Sequence, residues 1–184
     1  MTLSDPTYPS QQGQVCQTLR TDRLILRRPT AGDWPAFRDF MISDRAIAFG
    51  GHKDLGKAWR TFASELGHWE IFGYGMWAVT RQSDDTALGL VGPWTPPDWP
   101  EKEIGWMILS DKAEGTGIAT EAAKAAIAHA YDNLGWDTVV SYIAPGNTRS
   151  IRLAEKLGAV LDHAAKGPAA DTLVYRHPKG QADV

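Results

Sequence analysis

The segment from residue 101 to residue 134 constrains this chain more than any other. Glu101–Leu109 reads as a strand, Ser110–Gly117 as a polar, glycine-containing loop, and Ile118–Leu134 as an alanine-rich helix. Ile118, Ala122, Ala126 and Ala130 recur along one side of that helix, and Gly135 stops it. A turn of this kind, opening onto a helix, leaves backbone N–H groups without intrahelical partners. The helix dipole adds positive potential at the same place. A phosphate can settle there with no lysine. Gly115 and Gly117 let the backbone approach a ligand, and Thr116 and Thr120 offer hydroxyls. The glycines alone also fit a plain tight turn. Two named nucleotide motifs fail. Gly115-Thr-Gly117 is followed by Ile-Ala-Thr rather than a third glycine, and no lysine follows Gly115 in the loop.

Around this unit, strands and helices alternate. Residues 1–17, rich in Pro, Ser, Gln and Gly, read as a poorly ordered arm, and 179–184 as a tail. Residues 18–27 read as a strand with a turn-prone Thr-Asp inside it. Residues 33–43 read as a helix capped by Asp33, with Pro35 in its first turn. Residues 55–71 read as a second helix, capped by Asp54, with an apolar stripe of Trp59, Phe62, Ala63, Leu66 and Trp69. Strands at 74–81 and 86–93 flank the turn Gln82-Ser-Asp-Asp85. Further on come a strand at 137–144, a helix at 148–157 capped by Asn147, and short strands at 159–163 and 172–177. The reading is one α/β or α+β domain over residues 18–178, built on a mixed, mostly antiparallel sheet of about six or seven strands and about four helices.

Composition closes off other classes. A net charge of -3 gives no basic excess for holding nucleic acid. No stretch approaches the roughly 18 apolar residues of a membrane-spanning helix. The opening residues lack the basic start and apolar run of a signal peptide. One cysteine, Cys16, makes no intrachain disulfide and anchors no metal, which suits a reducing, cytoplasmic setting. His52, His68, His129, His163 and His177 show no metal spacing and read mostly as surface or interface residues. No metal is expected.

Several short runs together carry a resemblance. Glu103-Ile-Gly-Trp106, Lys112-Ala-Glu-Gly-Thr-Gly-Ile-Ala-Thr-Glu-Ala122, Asn147-Thr-Arg-Ser-Ile151 and Glu155-Lys-Leu-Gly158 resemble GNAT-superfamily N-acetyltransferases. Leu19–Arg27 and Leu88–Gly92 resemble the RimJ/RimL-like branch, the ribosomal-protein alanine acetyltransferases. The resemblance spans about residues 18–178. It implies a GNAT fold and direct transfer of an acetyl group from acetyl-CoA to a primary amine. The acceptor would be a peptide or protein N-terminus, or a small amine.

The same resemblance assigns a cofactor site. The family's loop reads Gln/Arg-x-x-Gly-x-Gly/Ala; here Lys112 keeps the positive charge and Gly115 and Gly117 hold their places. Lys112, Glu114, Gly115, Thr116, Gly117, Ile118 and Ala119 are then the pyrophosphate cradle. Glu114 sets a carboxylate where it would repel a diphosphate unless it turns away. Backbone groups of Met107, Ile108 and Leu109 would pair with the pantetheine arm, beside a splay opened after Pro145. Asn147 caps its helix and, by resemblance, contacts that arm or a water.

Catalysis would fall to two residues. Glu103 is the expected base, with burial lifting its pKa toward neutrality; Glu101 is its neighbour and substitute. A strand-end carboxylate in solvent or in a salt bridge is the bland alternative. The family often places a tyrosine seven residues after the asparagine, but that position is Ala154. Ser150 is the expected partner of the CoA sulfur, against the alternative of a serine bonded to its own backbone. Trp94 and Trp99, in a proline-rich loop, would line the acceptor pocket or cover the sheet edge. The family implies a monomer or a homodimer. A catalytically weak acyl-CoA sensor or scaffold, and a purely structural domain, are the competing classes.

Overall fold

A computed structural model describes residues 17–49 and 53–180. Cys16, His52 and almost all of the expected arm lie outside the described residues, as do the last four of the expected tail. Eight strands form one sheet: β1 (Leu19–Arg20), β2 (Leu24–Arg27), β3 (Trp77–Arg81), β4 (Asp84–Trp94), β5 (Glu103–Ile108), β6 (Val139–Ile143), β7 (Val160–Leu161) and β8 (Leu173–His177). Their order across the sheet is β1-β2-β3-β4-β5-β6-β8-β7. The pairing is antiparallel except between β5 and β6. The expected single strand at 18–27 is a hairpin, because the Thr-Asp turn closes on itself through Thr21 N–H to the Leu24 carbonyl, which raises the count to eight.

Four helices cover the sheet: α1 (Trp34–Met41), α2 (Leu55–Phe72), α3 (Ile118–Asp132) and α4 (Thr148–Lys156). The central strands are buried on both faces. In β3, Trp77 and Val79 join the α3 side of the core while Ala78 joins the α1–α2 side. On the α3 side, Ala122, Ala126 and Ala130 are fully buried, so the helix backbone lies close to the sheet. On the other side, Phe37 of α1 meets Phe62 of α2 at 5.1 Å between ring centres.

Capping follows the sequence with one change. Asp54 accepts from the Lys57 N–H at 3.0 Å, and Asn147 accepts from the Ser150 N–H at 3.2 Å. Asp33 stands at the start of α1, but its carboxylate turns back to Arg27 at 2.8 Å and to the Thr30 N–H at 2.8 Å. A fully charged fork outcompetes a cap there. The buried stripe of α2 is Ala58, Phe62, Glu65, His68 and Trp69; Trp59, expected in it, is 58% exposed, and Ala63 is exposed too. The expected stripe ranked residues by apolarity, and the helix is rotated so that two polar residues face inward. His68, His129 and His177 are likewise buried rather than superficial.

Candidate active site

The site begins where the sheet parts. β5 and β6 share one parallel rung, Glu103 opposite Val140, held by the Val140 N–H on the Lys102 carbonyl at 3.0 Å. Beyond it the strands diverge, and side chains stitch the gap. Ser141 Oγ donates to the Ile104 carbonyl at 2.7 Å, and the Tyr142 N–H reaches Glu103 Oε1 at 3.4 Å. Pro145 lies just past the end of β6 and cannot donate to a ladder. The divergence opens a cleft of about 500 Å³.

Glu103, Met107, Asn147, Ser150, Trp94 and Trp99 all line this cleft. Ile108, Leu109 and the loop from Lys112 to Ala119 do not belong to its walls. Leu109 is spent within the fold: its N–H goes to the Leu88 carbonyl and its own carbonyl accepts from Arg45. The Ile108 carbonyl also accepts from Arg45, at 2.9 Å.

Glu103 is buried at the base of the splay. Desolvation pushes its carboxyl up to about 7, against the opposing hydrogen bonds from Trp99 and the Tyr142 backbone. The Trp99 indole N–H donates to Glu103 Oε2 at 2.5 Å, so the proline-rich loop sets the carboxylate's orientation. Trp94, opposite Glu103 across β4 and β5, stacks on His68 with 4.9 Å between ring centres. His68 Nδ1 lies 2.7 Å from the Tyr74 carbonyl, and Nε2 accepts from the Thr95 N–H. Both ring nitrogens are thus occupied in a neutral imidazole, and burial lowers its pKa. Glu101, the expected substitute, does not line the cleft; its carboxylate is held by Arg176 Nη1 and Nη2 at 2.7 and 2.9 Å.

Ser150 is buried in the first turn of α4. Its Oγ accepts from the Trp106 indole N–H at 3.1 Å instead of bonding its own backbone. With that lone pair used, the hydroxyl hydrogen is left to donate. Ala154 is fully buried against the core, and Tyr142 in the cleft wall has its hydroxyl engaged by the Glu101 N–H at 2.9 Å.

The glycine loop follows a short 3-10 turn at Asp111–Ala113. Gly115 and Gly117 adopt φ of 70° and 83°, the left-handed region glycine tolerates. A Cβ at Gly115 would meet no atom beyond its chain neighbours within 4 Å, which leaves room for a ligand against the backbone. Glu114 lies between Arg45 and Arg149, with both ion pairs at 2.6 Å. Its charge is balanced before any phosphate arrives. Arg23 donates to the Thr116 carbonyl at 3.1 Å and pairs with Glu121 at 2.6 Å. Nothing in the sequence marks Arg23, Arg45 and Arg149 as serving this loop, because each reaches it from a different element.

One further residue escaped sequence reading. Glu65 of α2 lines the cleft, is 3% exposed, and its Oε2 has no hydrogen-bond partner. Burial, and then the neighbouring Glu103 charge, push it up to about 8.

Known acetyltransferases resemble this chain in sequence and in fold. The sequence profile of the acetyltransferase (GNAT) domain matches residues 23–160. A crystal structure of an acetyltransferase from Agrobacterium tumefaciens overlays with a TM-score of 0.84 at 39% identity, covering 89% of this chain and 95% of that one. The L-2,4-diaminobutyric acid acetyltransferase of Streptomyces avermitilis is 32% identical over 93 residues, 48% of this chain; the match spans about half of that relative, 52%. RimL, the ribosomal-protein acetyltransferase crystallised with coenzyme A, shares the fold with a TM-score of 0.66 at 16% identity, covering 88% of this chain and 97% of its own. A sheet parted at one parallel rung, a positive-φ glycine loop ahead of a long helix, and a family profile spanning most of the chain lead to one assignment: the protein belongs to the acetyltransferase (GNAT) family of acyl-CoA-dependent N-acyltransferases.

Proposed function

We propose that the protein transfers an acetyl group from acetyl-CoA directly to a small primary amine, with Glu103 as the base. One observation carries this reading: a buried carboxyl with a pKa of about 7 stands in the wall of the cleft that the β5–β6 splay opens. An amine enters as an ammonium and must lose a proton to attack. A carboxylate tuned near neutrality takes that proton most effectively. The amine nitrogen then bonds to the thioester carbon, the carbon–sulfur bond breaks, and the second proton that the nitrogen sheds ends on the departing sulfur. The departing thiolate needs a hydrogen-bond donor. Ser150 has one free, held toward the cleft by Trp106. A serine hydroxyl is a poor acid, so Ser150 orients the sulfur or a water rather than surrendering its proton.

The coenzyme's pyrophosphate belongs on the backbone N–H groups of Gly115–Gly117, with Lys112 adding charge and Thr116, Ile118 and Ala119 framing the turn. The open space at Gly115 and the neutralised Glu114 fit that role. Met107 and Asn147 line the cleft, where the pantetheine arm would lie. For the acceptor, the name of the Streptomyces relative gives a small diamino acid as its substrate, which favours a small amine over a protein N-terminus. A RimJ/RimL-like placement rests on the runs at 19–27 and 88–92 alone.

The buried Ala154 favours a second reading, a CoA-binding module with weak turnover. Acetyl-CoA binding by calorimetry, with free-thiol release over an amine and peptide panel, separates the two. Binding with release on one amine class is expected. Binding without release on any amine favours the module, and no binding overturns both.

A further inference from the structure

Glu103 does not stand alone. The cleft walls hold a second buried carboxyl, Glu65, which enters from α2. Its Oε2 is sealed from solvent and unpaired. Buried carboxyl oxygens are ordinarily bonded, since a bare one loses its hydration with nothing in return. An unpaired oxygen in the wall of a substrate cleft is a socket for a donor the substrate brings. Asp171 adds a third acidic group at the cleft, and no lysine, arginine or histidine lines it among the described residues. Trp94, Trp99 and Trp106 supply aromatic faces, which also attract cations.

Charge balance narrows the substrate further. In the reaction proposed above, Glu103 takes the proton of the attacking ammonium and becomes neutral. Glu65 then has no positive partner on the protein side of the cleft. A second ammonium on the acceptor would draw Glu65 into its ionised form and supply the countercharge and the hydrogen-bond donor that the protein side lacks. An acceptor carboxylate, in contrast, would meet only like charges there.

We propose that Glu65 is a specificity residue that binds the second, non-reacting ammonium of a diamine acceptor lacking a carboxylate. Resting on the acetyl-transfer reading, this names the substrate class of the same site. 1,4-Diaminobutane, n-butylamine and L-2,4-diaminobutyric acid are the probes. With acetyl-CoA, the wild type should show kcat/KM at least tenfold higher for 1,4-diaminobutane than for either other amine. Glu65→Gln keeps the side-chain shape and removes the charge. It should collapse that preference to near unity, chiefly through KM for the diamine. A wild type without preference, or a preference that survives in Glu65→Gln, overturns the inference.

Binding keeps this outcome separate from the parent reading. 1,4-Diaminobutane is titrated calorimetrically into wild type and Glu65→Gln in the presence of CoA. Heat that appears in the wild type and falls at least tenfold in affinity in Glu65→Gln supports the socket even if no amine is acetylated. No diamine binding by the wild type overturns the socket, while acetylation of n-butylamine would still sustain the transferase.

Discussion

The Trp99 indole N–H donates to Glu103 Oε2 at 2.5 Å, joining the proline-rich loop to the carboxyl buried at the base of the splay. This bond favours the charged form of Glu103 against the desolvation that raises its pKa. Trp99→Phe keeps the ring and removes the donor. Its kcat/KM profile should shift its rising limb to higher pH, with a smaller change in the plateau. An unmoved limb would uncouple the indole from the base.

Glu103→Gln tests the base itself. General-base catalysis contributes roughly 10²- to 10⁴-fold, and turnover should fall by that order while acetyl-CoA affinity stays near the wild-type value. The wild type should show an ascending limb with an apparent pKa near 7, which this variant lacks. Initial rates of thiol release across pH measure both.

Ser150→Ala leaves the Trp106 indole N–H buried without its acceptor. The orphaned donor should cost about 1–3 kcal/mol of stability, read from denaturant unfolding. If Ser150 steadies the leaving sulfur, kcat should fall while the KM for acetyl-CoA barely moves. Restoring a hydroxyl with Ser150→Thr should recover part of the rate.

Gly115→Val places a side chain where no protein atom interferes, so the steric penalty falls on the ligand. The left-handed φ of 70° adds roughly 1–2 kcal/mol of backbone cost. CoA affinity should drop well beyond what that stability loss explains. Calorimetric titration beside thermal unfolding resolves the two effects.

Burial lifts Glu65 to about 8 and Glu103 to about 7, so the folded chain holds protons that the unfolded chain has released. Raised carboxyl pKa values stabilise the fold below the ordinary glutamate value and lose that effect as pH rises through the folded values. His177, lowered to about 4 by burial, acts in the other direction and only below its ordinary value near 6.5. Between about pH 6.5 and about pH 8 the carboxyls dominate, and Tm should fall as pH rises. Glu65→Gln should flatten that slope.

What the sequence made legible was local. Asn147 and Asp54 announce their caps because each bonds a residue three positions on. The Ala122–Ala126–Ala130 stripe shows itself at helical spacing. Glu103 and Trp99 lie four residues apart and could be weighed together. Glu65 could not, because its meaning lies in Glu103, 38 positions away, and in a helix rotation that apolar ranking misjudged. Glu114 looked out of place for a similar reason. The guanidinium of Arg45 that neutralises it comes from 69 residues earlier in the chain.

The lone backbone rung between Glu103 and Val140, helped by the Ser141 and Tyr142 stitches, divides the sheet into two plates. β1 to β5 form one plate, and β6 with the β8–β7 hairpin forms the other. Amides laid into the jaw between them would supply the rungs that the protein omits. On the proposed binding mode, occupancy would act as a structural cross-tie that stiffens the smaller plate. Hydrogen exchange in β6 would report the loading of the enzyme as directly as any assay of its product.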